Sequence, residues 1–208
     1  MGAVFVLVLT SVQSFGQTTS PMSPPPSSSP TQGGTVNNPP VLLSLGSRQV
    51  PGQKYRIYGR VADETPVSCG VVISGAASGV ALCDENGNFD AVFNVTTVGS
   101  IYAVVGDGQL QSQASTITLT NAAPTVGMFM TVQGANNTWT FSGTVGDEAC
   151  AGLTVTLSGP SGVQGSSALV LANGTWSITV TVPPGTGGNV SATISDWYGL
   201  LGVAYTTF

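Results

Sequence analysis

The chain has 208 residues, four of them Lys or Arg against nine Asp or Glu, no His, and a net charge of −5. A protein that follows a phosphate backbone needs a cationic stripe, so nucleic acid is not expected as a partner, and anionic membrane surfaces are disfavoured for the same reason. Without His there is no Ser–His or Cys–His pair, and neither a zinc-ligand cluster nor a phosphate loop is present, so the chain reads as non-enzymatic.

From the N-terminus, Ala3 to Ser11 is almost wholly apolar and runs into Ser14-Phe15-Gly16-Gln17. Small residues at Ser14 and Gly16 fit cleavage after Gly16, so residues 1–16 read as a signal peptide-like segment, too short to remain as a membrane span. No Cys follows it to carry a lipid. Residues 17–38 are rich in Pro, Ser and Gly, which supply no core, and are expected to form a disordered linker. A secreted or cell-surface location follows, with no membrane insertion after cleavage.

Beyond the linker the chain repeats itself. Gly59-Arg60-Val61-Ala62-Asp63-Glu64 recurs 84 residues on as Gly143-Thr144-Val145-Gly146-Asp147-Glu148, and Pro40, Tyr55 and Ile57 recur as Pro124, Trp139 and Phe141. The offset grows to 87 at Asn86-Gly87-Asn88-Phe89, matched by Asn173-Gly174-Thr175-Trp176, and to 89 between Asp107 and Asp196. Growth at turns is what loop insertions produce. Each copy, 39–120 and 121–208, resolves into seven short segments. In the first they lie near 41–45, 54–61, 69–74, 80–83, 88–95, 100–106 and 115–120; in the second, near 126–132, 138–145, 153–158, 168–171, 175–182, 189–195 and 202–208. Tyr55, Ile57 and Val61 alternate with Lys54, Arg56 and Arg60, and Trp176, Ile178, Val180 and Val182 alternate likewise. Period-two alternation with frequent turn signals predicts an all-β chain of two tandem immunoglobulin-like sandwiches.

The run Pro-Pro-Val, then Trp139-Thr-Phe-Ser-Gly-Thr-Val-x-Asp-Glu148, Asn173-Gly-Thr-Trp176 and Ser195-Asp-Trp-Tyr-Gly199 resembles bacterial Ig-like repeats, related in shape to cadherin and fibronectin type III modules. The resemblance covers 39–208 and is closest in the second copy; the first has Gly108-Gln109 in place of Trp197-Tyr198. It implies an extracellular structural or interaction module that spaces or presents surfaces. An adhesin or carbohydrate-binding protein is the alternative, with other surface proteins or polysaccharide as partners. The oligomeric state is left open.

Several candidate residues follow. Asp63, Glu64, Asp84, Glu85 and Asp107 fall in three loops expected at one end of the first sandwich, and Asp147, Glu148 and Asp196 fall in two such loops of the second. Clustered carboxylates without basic neighbours invite a hard cation such as Ca²⁺. The resemblance points the same way, because cadherin-like modules stiffen at such ends with calcium. Asn121-Ala122-Ala123-Pro124, however, lacks their acidic linker motif, and Asp is also an ordinary turn residue. A hairpin centred near Ala76 sets Cys69 opposite Cys83, where the second copy has the apolar pair Leu153 and Val170; a disulfide is expected there, the alternative being two buried thiols. Cys150 has no counterpart. Trp139 and Trp176 are expected in the core. Trp197 and Tyr198, in a loop, would either stack a sugar ring or cap the sandwich.

Overall fold

The computed structural model describes residues 36–208; the signal-like segment and the linker up to residue 35 lie outside the described residues. Seven strands form the first sandwich: β1 (Val41–Val50), β2 (Lys54–Ala62), β3 (Gly70–Gly75), β4 (Gly79–Leu82), β5 (Asn88–Asn94), β6 (Ser100–Gly106) and β7 (Ser115–Thr118). Seven more form the second: β8 (Thr125–Gln133), β9 (Thr138–Gly146), β10 (Thr154–Ser158), β11 (Ser167–Leu169), β12 (Thr175–Thr181), β13 (Asn189–Ser195) and β14 (Leu201–Thr207). All ladders are antiparallel, and the topology is the same twice: β1-β2-β5 faces β4-β3-β6-β7, and β8-β9-β12 faces β11-β10-β13-β14. Among the described residues, no helix is long and apolar enough to cross a membrane.

Alternation decides what is buried. On β2, Tyr55, Ile57 and Val61 turn inward while Lys54, Arg56, Tyr58 and Arg60 stay exposed, because successive side chains of a strand leave on opposite faces. Ile57, Val71, Ile73, Ile101, Val105 and Leu119 centre one core, and Phe141, Val155, Leu157, Val190 and Ile194 centre the other. Trp176 is buried, and Trp139 packs on the second core with its ring 4.9 Å from that of Phe208. β1 runs five residues further than its sequence suggests. The turn falls instead at Pro51–Gln53, where Gly52 takes a φ of +91°, and Gly46 stays in the ladder opposite Tyr58, whose ring lies across it.

The two sandwiches differ along one seam. In the second, β8 lies alongside β14, and a Cβ at Gly202 would stand 2.1 Å from the carbonyl oxygen of Pro124. Only glycine admits so close an approach of one backbone to another. The residue at this repeat position in the first sandwich is Gln113. There, β7 is cut to four residues: the Ser112 Oγ accepts from the Val105 N–H at 2.9 Å, while the Ser112 N–H donates to the Val105 carbonyl at 2.9 Å. A groove of about 440 Å³ opens between Pro39–Leu42 and Gln111–Ser115.

Candidate functional site at the junction of the sandwiches

The loops after β9 and β13 carry Asp147, Glu148, Asp196, Trp197 and Tyr198, and they meet the turn after β1 and the end of β5 in the first sandwich. Tyr198 donates its hydroxyl to the Val95 carbonyl at 2.9 Å and packs against the first core. Gln53 Nε2 donates to the Trp197 carbonyl at 2.9 Å. Trp197 turns the other way: its Nε1–H donates to the Ala149 carbonyl at 2.8 Å, and its ring packs on the second core. One dipeptide thus holds both sandwiches. The pair is half-buried and divided between the two cores.

The connecting segment is tied down as well. Tyr55, buried, donates its hydroxyl to the Thr120 carbonyl at 2.6 Å. Burial pushes its pKa up to about 12, helped by the nearby Tyr198, Glu148 and Asp147, so the phenol keeps the proton this bond requires. Asn121 Nδ2 donates to Asp196 Oδ2 at 2.7 Å, and the Ala122 N–H to Glu148 Oε1 at 3.2 Å.

Each of the five aspartates expected at the loop ends is used by its own turn. Asp63 Oδ1 accepts from the Thr65 N–H, Asp147 Oδ1 from Ala149, Asp84 Oδ1 from Asn86 and Asn88, Asp107 Oδ1 from Gln109 and Leu110, and Asp196 Oδ1 from Tyr198 and Leu200. These are Asx turns, in which a short carboxylate closes the loop that follows it. The hydrogen bonds hold Asp84 and Asp107 below the usual carboxylate range, Asp84 chiefly through the Asn88 side chain and Asp107 through the Leu110 and Gln109 N–H groups. Glu64 is lowered chiefly by its bond from Asn38, a residue assigned to the linker from sequence. Asp147 goes the other way: burial raises it, with Glu148 and Asp196 adding repulsion. Glu85 stays exposed. Among the described residues, no three His, Cys, Asp or Glu side chains form a group that could hold a metal ion. The second carboxylate oxygens of Asp63, Asp107 and Asp147 are buried without a hydrogen-bond partner among the described residues.

Cys69 and Cys83 fall opposite each other: Gly70 pairs with Leu82, and the Cys83 N–H donates to the Cys69 carbonyl at 3.1 Å. Both are buried free thiols in the first core, and burial pushes Cys69 up to about 11. Cys150 is a half-buried free thiol in the second sandwich.

Sequence reasoning missed Gln53, Asn121 and the Tyr55 hydroxyl. The last left a trace, since Tyr55 stands where the second copy has Trp139, which has no hydroxyl to donate to a following linker.

No protein-family model matches the chain, and no curated protein matches it. Solved structures do. The Yersinia pseudotuberculosis adhesin InvE is similar at 14% identity and a TM-score of 0.33, over 79% of this chain and 58% of that one. A C-terminal 282-residue fragment of intimin, in complex with the intimin-binding domain of its translocated receptor, is similar at 12% identity and a TM-score of 0.33, over 80% and 63%. Immunoglobulin domains 1–5 of Sidekick-1 are similar at 12% identity and a TM-score of 0.46, over 82% and 38%. The chain therefore spans less than two thirds of the length of each of these, and the immunoglobulin-like assignment rests on its own strand order, repeated in both halves.

Proposed function

We propose that this is a non-catalytic, exported surface module in which two immunoglobulin-like sandwiches are keyed together so that they present their faces at a fixed orientation. The observation that carries this reading is the Trp197–Tyr198 turn, which gives one aromatic to each core and bonds to the main chain on both sides. A loose tether needs none of these contacts. Domain interfaces within a chain leave hinge motion as the default unless specific packing opposes it. Here the linker is short, contains Pro124, and is clamped by Tyr55 and Asn121. The polar loops at the joint close turns and bond one another across it.

Small-angle scattering and thermal unfolding of the full chain with Tyr198→Ala and Tyr198→Phe test the key. Tyr198→Ala is expected to broaden the distribution of interdomain distances and to split a coupled unfolding transition in two. Tyr198→Phe, which loses only the bond to Val95, should cost about 1 kcal/mol and keep the wild-type scattering profile. Unchanged scattering and unfolding in Tyr198→Ala would overturn the reading.

A further inference from the structure

Every basic residue of this acidic chain stands on one sheet face. The ladders place Arg48 opposite Arg56, Val50 opposite Lys54 and Ser44 opposite Arg60, and the exposed residues of β2 alternate outward as Lys54, Arg56, Tyr58 and Arg60. The same face receives a single carboxylate, Asp90 on β5, across from Tyr58. Arg56 takes that carboxylate with two prongs: its Nε lies 2.7 Å from Oδ1 and 2.9 Å from Oδ2, and a terminal nitrogen also bonds Oδ2. Arg56 chiefly, with Arg48 adding to it, holds Asp90 below the usual carboxylate range. The remaining eight acidic residues lie in loops, Asp84 near Arg60 at one end of the face, so a net charge of −5 conceals a sheet face whose strands carry four cations and one carboxylate.

The patch has an organised centre. Tyr58 is 44% exposed, and its ring lies across Gly46, where a Cβ would stand 2.9 Å from Cε2 and Cζ. The absent side chain lets the ring lie down on the sheet with its other face toward solvent. Beside it is a notch of about 240 Å³ lined by Arg48, Arg56, Tyr58 and Asp90. Arg60 is steadied by its bond to the Asn86 carbonyl at 3.3 Å, while Arg48 and Lys54 extend as exposed cations.

We propose that this face of β1, β2 and β5 binds a linear acidic polysaccharide, with Arg48, Lys54 and Arg60 meeting its carboxylate or sulfate groups and Tyr58 stacking on a sugar ring. Charge complementarity selects an anion. An open, nearly flat sheet selects an extended polymer over a small molecule, which needs concavity to bury its surface. Lys54 and Arg60 are about 20 Å apart along the strand, the length of several sugar units, with Arg56 and Arg48 between them. That spacing suits a chain bearing one charge per sugar or per disaccharide. Single-stranded nucleic acid instead uses successive aromatic platforms in a charged groove, and one ring on a flat face does not supply them. The inference deepens the surface-module reading and rests on it for where such a polymer would be met.

The test is titration of the full chain with polygalacturonate at about 0.02 M and about 0.15 M salt, with neutral dextran, duplex DNA and buffer as comparators. Binding to polygalacturonate that weakens with salt, without binding to dextran, is expected. The double variant Arg48→Glu/Lys54→Glu should lose about tenfold or more in affinity with unchanged circular dichroism, since both side chains are exposed. Gly46→Val, which keeps every charge but lifts the Tyr58 ring, should weaken binding as Tyr58→Ala does. Absence of binding at low salt, undiminished binding by the double variant, or tighter binding to DNA than to polygalacturonate would each overturn the proposal. So would charge-dependent self-association through the acidic loops of a second copy that polygalacturonate does not displace. Tyr198→Ala is expected to bind polygalacturonate as the wild type does, so failure of the joint and failure of this face are read separately.

Discussion

The two sandwiches share one topology and yet solve three local problems differently. The first keeps an open seam beside Gln113, fills a core position with Cys69 and Cys83, and carries every cation of the chain. The second closes the same seam over Gly202, packs Leu153 and Val170 instead of the thiols, and spends its acidic loops on the joint. Duplicated units are therefore held to strand order and core volume, while edges, ends and outer faces are released to diverge. Function is more readily placed on those released surfaces, because changing them leaves the core intact.

The largest expected effect sharpens the contrast between the thiol pair and its apolar counterpart. Refolding the full chain in a glutathione buffer should join Cys69 to Cys83, with oxidised glutathione reduced as the two thiols are lost. One thiol, Cys150, would then titrate with Ellman's reagent. Closing this 15-residue loop should stabilise the first sandwich by about 3 kcal/mol, reversed by reductant. Three titratable thiols after refolding, with no difference in melting, would mean that the pair serves only as packing.

Next in size is the seam. Gly202→Ala forces a Cβ against the Pro124 carbonyl and should cost the second sandwich about 2 kcal/mol, read as a lower midpoint in urea. Gln113→Ala in the first sandwich, where the groove is open, should move the midpoint by less than about 0.5 kcal/mol. Equal effects at the two positions would remove the steric explanation for the open groove.

The smallest expected effect concerns calcium. Melting in EDTA and in millimolar Ca²⁺ should coincide, because the loop-end aspartates already accept main-chain N–H donors. A site occupied at a hundredfold excess over its Kd would add about 2.7 kcal/mol. A rise of that order, abolished by Asp63→Asn or Asp107→Asn, would make the loop ends a metal site.

Much of the fold was legible because its signals are local. Alternation along β2 and β12 follows from strand geometry, and the hairpin register that opposes Cys69 to Cys83 follows from the turn between them. The end of β1 was not legible, since Gly46-Ser47 imitates a turn and it is the pairing of residues 44–50 with β2 that holds it extended. The site was legible in part. Asp147, Glu148, Asp196, Trp197 and Tyr198 were all marked in the sequence, the acids as cation ligands or ordinary turn residues and the aromatics as a sugar platform or a cap, but their bonds across the joint were not.

By itself the sequence determined the two-copy, all-β organisation and the inward and outward residues of each strand, because both depend on periods of two and on turns a few residues long. Tertiary structure alone decided that Trp197 and Tyr198 serve different cores, that Gln53 and Asn121 complete the joint, and that Arg48 joins the β2 cations on one face. Those outcomes depend on which strands and loops become neighbours across more than a hundred residues of chain in the case of Tyr198 and Val95. Linear spacing carries no such information; it is set when the sheets pack and their loops are brought to a common end.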